Sequence, residues 1–188
     1  MAATVVALVG FSASVQAVPI SGVINFGTSS SATVNSGNLG TATAISSYGN
    51  VFVSAGTETG SYAPLNGGGN FGSTLAFSTF GFGGNVLSPA SVLLWTVASG
   101  GVTYSFTATS VQIVLQNSTF LDLQGNGSAN ITGYDSTIGT WSMLFTGLGG
   151  TTTFTFGAAT AVPDNGTTVM LLGAAFAGLC LFRKKVMA

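Results

Sequence analysis

The chain has 188 residues, of which 46% are apolar and only 4% are charged. This length suits one domain of ordinary size, and typical soluble domains carry about 25% charged residues. All three cations lie together at Arg183, Lys184 and Lys185. Because phosphate binding needs Lys and Arg clustered on a folded surface, this distribution excludes a nucleic-acid partner.

The first residues of the chain have the pattern of a signal peptide. An apolar stretch at residues 2–11 is followed by VQA at residues 15–17, a small-residue pattern typical of a cleavage site. We therefore expect residues 1–17 to be removed by cleavage between Ala17 and Val18. No Lys or Arg precedes the apolar stretch, which a true start further upstream would explain. The alternative is that this segment forms a buried first strand or helix.

Residues 18–161 alternate polar and apolar side chains over short runs, which is typical of half-buried β-strands. In one run, Trp141, Met143 and Phe145 fall on a single face. Gly-rich turn signals separate the runs. We therefore predict an all-β body, an antiparallel, jelly-roll-like β-sandwich. The predicted strands are 23–26, 42–46, 51–55, 75–79, 92–98, 103–107, 111–116, 120–123, 128–132, 141–145 and 151–156, and the predicted turns include 36–38, 66–70, 83–85, 99–101 and 125–127.

The predicted sheet has few of the residues that usually protect sheet edges. Charged residues and proline are scarce between residues 18 and 161, although both normally discourage strands from pairing with other chains. The edges must then be covered or must pair with neighbouring molecules. This pattern leads to the hypothesis that the body self-associates in an extracellular matrix.

The residues of the common catalytic and metal sites are scarce. Histidine is absent and Cys180 is the only cysteine, which excludes Ser-His-Asp and Cys-His catalysis and leaves zinc without ligands. Glycosidase chemistry needs two carboxyl groups in one cleft, and Glu58, Asp122 and Asp135 would have to meet through folding. Calcium at Asp122 or Asp135 would lack the spacing of an EF-hand. The sequence therefore predicts a non-enzymatic protein without a metal or cofactor.

A carbohydrate-binding module is the alternative function. Tyr48, Tyr62 and Tyr134 lie next to turns, from which their rings could stack on the sugars of an exopolysaccharide. Trp141 and Tyr104 instead alternate with polar residues, and we predict that both face the core.

The C-terminal segment, residues 162–188, combines three features. Its first five residues are Val162, Pro163, Asp164, Asn165 and Gly166, where proline disfavours regular pairing and the following residues favour a turn and a helix cap. Residues 167–182 carry no charge and would form a helix of roughly 24 Å, close to the bilayer core of about 30 Å. The cations at 183–185 would then stay in the cytoplasm, which places the body outside.

In this order the three features resemble a PEP-CTERM-type sorting signal. The sequence VPDNG at residues 162–166 resembles the VPDSG variant of that signal, with Asn165 in the place of serine. The resemblance implies export and recognition by an exosortase, a membrane-embedded transpeptidase-like enzyme of Gram-negative bacteria that make exopolysaccharide. The chain would then be the substrate of that enzyme. We expect it to be anchored in the membrane by its C-terminal helix at least transiently, and afterwards to lie at the cell surface or in a biofilm matrix. A permanent anchor that is never cut is the alternative.

Overall fold

The computed structural model describes residues 18–30, 32–65, 75–147 and 153–158, the last of these by its backbone. This part of the chain consists of β-strands and short 3-10 turns, without an α-helix, so the predicted all-β class is confirmed. The strands are β1 (Gly22–Thr28), β2 (Thr33–Val34), β3 (Ile45–Ser47), β4 (Val51–Val53), β5 (Leu75–Phe77), β6 (Val92–Ser99), β7 (Val102–Ala108), β8 (Gln112–Gln116), β9 (Phe120–Ile131), β10 (Thr137–Thr146) and β11 (Thr153–Ala158).

Nine of these strands form one antiparallel sheet. Its order is β4-β1-β11-β10-β9-β7-β6-β5, and β8 pairs with β9 beside this path. Strands β2 and β3 form a separate pair. The sequence led us to expect a sandwich of two sheets, whereas the hydrogen bonds between the described strands run through the nine strands as one sheet. Strand β4 contacts β5, so the sheet curls until its two ends lie side by side.

Aromatic side chains fill the curl and join its two ends. The ring of Phe26 on β1 lies 5.0 Å from that of Phe77 on β5 and 5.1 Å from that of Trp95 on β6, measured between centroids. The ring of Tyr48 lies 5.2 Å from that of Phe77. Phe26 and Trp95 are fully buried. Such tilted and edge-on contacts stabilise aromatic clusters beyond the area that they bury, so the strands at opposite ends of the sheet share one core.

The stretch from Gly125 to Gly127 is strand, which corrects the turn predicted there. Strand β9 runs without interruption through these residues and pairs with β10 along its length. A Cβ on Gly125 would lie 2.6 Å from Nε1 of Trp141, and one on Gly127 would lie 2.5 Å from Cε1 of Phe106. Glycine inside a strand often marks such a close approach. These two glycines therefore make room for large core rings.

Strand β8 stands outside the linear strand order because β9 is long enough to pair with two strands, β7 and β8, along the same side. Strand β7 pairs with the second half of β9, and β8 pairs with the first half. The far edge of β8 is partly covered, because the backbone N–H of Ile113 donates to Oδ1 of Asn85 at 2.7 Å. The side-chain amide of Gln116 also donates to the carbonyls of Leu39 and Ala42.

The start of the described region is attached to the β9–β10 turn. The backbone N–H of Asp135 donates to the carbonyl of Val18, and the N–H of Ile20 donates to Oγ1 of Thr137. Ile20 is fully buried. Residues 1–17, with Ala17 of the predicted cleavage site, and the predicted tail at 162–188 lie outside the described residues. Among the residues that are described, no helix has the length and hydrophobicity needed to cross a membrane.

Candidate functional site

A polar groove lies on the sheet at the point where β9 stops pairing with β8 and begins to pair with β7. Strand β7 ends at Ala108 and β8 begins at Gln112, so the segment between them crosses beside Asn126 of β9. The carbonyl of Asn126 accepts from the backbone N–H groups of Thr109 and Ser110, and its own N–H donates to Oγ of Ser110. The groove beside this crossing has a volume of about 600 Å³. That volume lies within the usual range of ligand pockets.

Uncharged amides and hydroxyls line the groove. Gln112 faces Gln124 across the β8–β9 ladder, and Gln124 faces Ser142 across the β9–β10 ladder. In the next row Asn126 faces Thr140. Because cross-strand partners lie on the same face of a sheet, these side chains form two adjacent polar rows. The groove residues are Ser110, Val111, Gln112, Gln124, Gly125, Asn126, Thr140, Trp141 and Ser142.

Trp141 contributes to the groove lining from the buried face of β10. Its side chain is only 2% exposed, and the ring of Phe80 packs edge-on against it with centroids 5.7 Å apart. Its Nε1 is buried and has no hydrogen-bond partner among the described residues. Because Gly125 has no side chain, this edge of the indole can pack directly against the backbone of β9. The ring face is covered, so the groove presents hydrogen-bonding groups and does not offer an aromatic platform.

A second cleft lies between the two ends of the curled sheet. It has a volume of about 670 Å³ and is lined by β4, β5 and the segment that joins β3 to β4. Phe77 contributes aromatic surface to it beside the buried Tyr48, and Ser46, Asn50 and Thr79 contribute polar groups. This cleft therefore lies where the terminal strands of the sheet face each other.

The described carboxylates do not line either cleft. Asp122 lies on β9, and Asp135 follows the β9–β10 turn, where it forms a bridge with Pro19. Glu58 is 4% exposed, and its carboxylate oxygens accept from the N–H and Oγ1 of Thr57. The two clefts are lined without Glu58, Asp122 or Asp135. Within the described residues, no three His, Cys, Asp or Glu side chains lie close enough together to hold a metal ion.

The aromatic residues that were singled out in the sequence differ in their exposure. Trp141 and Tyr104 are buried, as predicted. Tyr48 and Tyr62 are also buried, so neither ring is available for the alternative in which it stacks on a sugar. Of the three turn-proximal tyrosines, only Tyr134 is exposed, at 40%. Burial raises the pKa of Tyr48 and of Tyr62 above the ordinary phenol range. Both side chains belong to the core.

The groove residues carry no motif that marks them as a site in the sequence. Gln124, Asn126, Thr140 and Ser142 occupy the outward positions of two strands whose inward positions are buried. Alternation marks them as outward, and surface Gln, Asn, Ser and Thr are ordinary in such positions. The signal that could have found them is the pairing of β9 with β10, which places the amides and hydroxyls side by side.

One family model matches the chain, and it matches the C-terminus. Residues 161–186 match the VPDSG-CTERM motif. This stretch contains the predicted recognition residues and the three cations. The match identifies the segment as a sorting signal, of the kind that exosortase-type enzymes process, on an exported protein that associates with the membrane or cell surface. No curated protein and no solved structure matches the chain.

Proposed function

We propose that this chain, which carries a VPDSG-CTERM motif at residues 161–186, is a non-enzymatic structural protein of the bacterial cell surface or biofilm matrix. The motif is the observation that carries the proposal. It lies on the segment where proline, an apolar stretch and terminal cations follow one another. In this proposal the exosortase-type enzyme acts on the chain, and the chain contributes no catalysis of its own.

Each part of the tail has a separate role in the proposed sorting. Residues 162–166 present an irregular segment that the enzyme recognises, because Pro163 disfavours pairing with a neighbouring strand. Residues 167–182 lie in the bilayer as a helix, and Arg183, Lys184 and Lys185 hold its end in the cytoplasm. Residues 1–17 direct export and are removed before Val18.

The composition of the body supports a structural role outside the cell. Lys and Arg are absent from residues 1–182, and the outward positions of β9 and β10 carry many neutral polar side chains. In this proposal the curled sheet folds over its own core, so that the body is flattened and resembles a sandwich. Strands β4 and β5 each contribute only three residues to its ends, and short terminal strands are one way in which sheets limit uncontrolled pairing. Self-association of the body in a matrix is part of the proposal, and these short terminal strands would keep it limited.

Substitutions in the tail test the proposal in the producing cells. Replacing Pro163 and Asp164 with alanine should leave an uncut precursor in the membrane fraction, because the recognised segment is changed. Replacing Thr167 and Thr168 with alanine is the matched control, since these polar residues lie beside the motif and should not affect processing. Normal processing of the first variant, or an equal defect in both, would contradict the proposal.

A carbohydrate-binding module is the second candidate function, and the exposure of Tyr134 favours it. Tyr134 lies in the turn after β9, where a sugar ring could reach its face. Tyr134→Ala should then abolish binding on a glycan array, whereas the buried Tyr62 replaced by phenylalanine should not. Unchanged binding by Tyr134→Ala would remove this tyrosine from the candidate site.

A further inference from the structure

We propose that the groove formed by β8, β9 and β10 is a binding site for a neutral polysaccharide chain. The site is separate from Tyr134 and from the sorting tail. This inference rests on the proposed function in one respect, which is that a surface or matrix protein meets polysaccharide outside the cell.

The lining suits a ligand that carries many hydroxyl groups. An amide offers both donors and an acceptor, and a hydroxyl offers one donor and two acceptor lone pairs. Gln112 and Gln124 lie opposite each other on β8 and β9, and Asn126 begins the next row. A sugar hydroxyl is likewise donor and acceptor, so it can pair with either kind of side chain. The two polar rows therefore present several matching partners within one volume of about 600 Å³.

The buried indole of Trp141 adds a donor beside the groove. Nε1 of Trp141 has no partner among the described residues, although buried N–H groups are normally paired. Gly125 and the backbone carbonyl of Ser110, two residues that line the groove, both lie beside this edge of the indole. A ligand oxygen or a water bridging to it would supply the missing partner.

Charge favours a neutral chain over an anionic one. All groove residues are uncharged, and the chain contains no cation before residue 183. The nearest acid along the strand is Asp122, which lies on the same face of β9 as Gln124. An anionic polysaccharide in the groove would thus lie near a carboxylate without a compensating Lys or Arg.

The position on the sheet argues against an added peptide strand. A peptide that extends a sheet needs unpaired backbone groups at an edge. Gln124 and Asn126 belong to β9, which is paired with β10 on one side and with β8 or the Thr109–Ser110 backbone on the other. The groove therefore offers side chains as its binding groups, which matches a sugar chain better than a strand.

The test is a glycan array with the protein purified from the producing cells. The probes are hexasaccharides of neutral glucans, mannans and galactans, with oligo-uronates as anionic comparisons. We expect binding to a neutral probe. Gln124→Ala should weaken it by about three- to tenfold, the usual effect of losing one hydrogen bond, and Gln112→Ala with Gln124→Ala should weaken it further.

A matched control and a second measurement complete the test. Asn130→Ala changes the same strand outside the groove and should leave affinity unchanged. Trp141→Phe should remove the change in tryptophan emission that the ligand induces, because Trp95 lies away from the groove lining. Binding to oligo-uronates only, no binding to any neutral probe, or equal binding by wild type and the double variant would overturn the inference. Tail variants that fail in sorting should still bind the glycan, so the two proposals fail separately.

Discussion

Gly125 on β9 lies directly opposite Trp141 on β10, and a methyl group on its α-carbon would approach Nε1 of the indole to 2.6 Å. The same strand repeats this relationship two residues later, where Gly127 leaves space for the ring of Phe106. Two glycines that look like a turn in the sequence therefore set how closely the core rings pack. This arrangement also places Nε1 of the indole beside Gly125, a residue that lines the polar groove.

Filling the space beside Phe106 should destabilise the protein. Gly127→Ala places a methyl group against the ring and against the backbone carbonyl of Thr107. We expect a loss of about 1–3 kcal/mol in the free energy of unfolding, as for other overpacked cores. Urea denaturation measures it. Ser128→Ala, next to it on the outward face, should change stability by less than about 0.5 kcal/mol. Equal effects of the two substitutions would show that the close approach is not important.

The two ends of the sheet should be energetically coupled through Phe26 and Phe77. Their rings meet edge-on at 5.0 Å, although one residue is on β1 and the other on β5. A double-mutant cycle with Phe26→Leu and Phe77→Leu should give a coupling energy of about 0.5–1.5 kcal/mol. Phe26→Leu combined with Ile138→Ala is the control, because Ile138 is 78% exposed and the two effects should add. Strict additivity in the Phe26–Phe77 cycle would contradict the shared core.

Removing the hydroxyl of Tyr62 should stabilise the protein, most of all in alkali. This hydroxyl is buried without a hydrogen-bond partner among the described residues, so Tyr62→Phe should gain about 1 kcal/mol at neutral pH. Burial also raises the pKa of Tyr62, so the folded chain keeps a proton that the unfolded chain releases above pH of about 10. Stability therefore falls as the pH rises past that value.

The alkaline effect has a direct control. Denaturation midpoints measured across alkaline pH should fall less steeply for Tyr62→Phe than for the wild type. Ile138→Ala changes an exposed side chain that does not titrate and should follow the wild type. A Tyr62→Phe variant with the same alkaline loss as the wild type would contradict a buried, proton-retaining phenol.

Asn85 should limit association through the outer edge of β8. Its side chain accepts the N–H of Ile113, and its φ of 61° is one that glycine also adopts readily. Asn85→Gly should therefore remove the hydrogen bond without backbone strain, cost about 1 kcal/mol and increase concentration-dependent association in sedimentation experiments. Asn85→Asp keeps an acceptor and should resemble the wild type in association. Unchanged association of the glycine variant would show that the edge is protected by other groups.

Local patterns predicted the strands but not how they meet. Alternation identified the inward positions of Trp141, Met143 and Phe145, because a buried face has a period of two. It failed at Gly125, because the need for glycine there comes from a ring on another strand. It also failed for Tyr48 and Tyr62. Their neighbouring turns suggested exposure, but both rings are buried in the aromatic core.

The two candidate sites, the tail and the groove, also differ in whether the sequence alone predicts them. The tail could be identified from sequence, because its order of proline, apolar stretch and cations is linear along the chain. The groove depends on the register of three strands, and the contact between β4 and β5 depends on the curl of the whole sheet. Neither relationship is encoded in a short stretch of residues.

Mass spectrometry of the mature protein from the cell surface tests the central claim most directly. We predict that its N-terminus is Val18 and that peptides containing Phe182 to Lys185 are absent from the surface form. The same peptides should reappear when the exosortase-type enzyme is deleted. A surface protein that still carries Met1, or that keeps Arg183, Lys184 and Lys185 in the presence of the enzyme, would contradict export followed by removal of the tail.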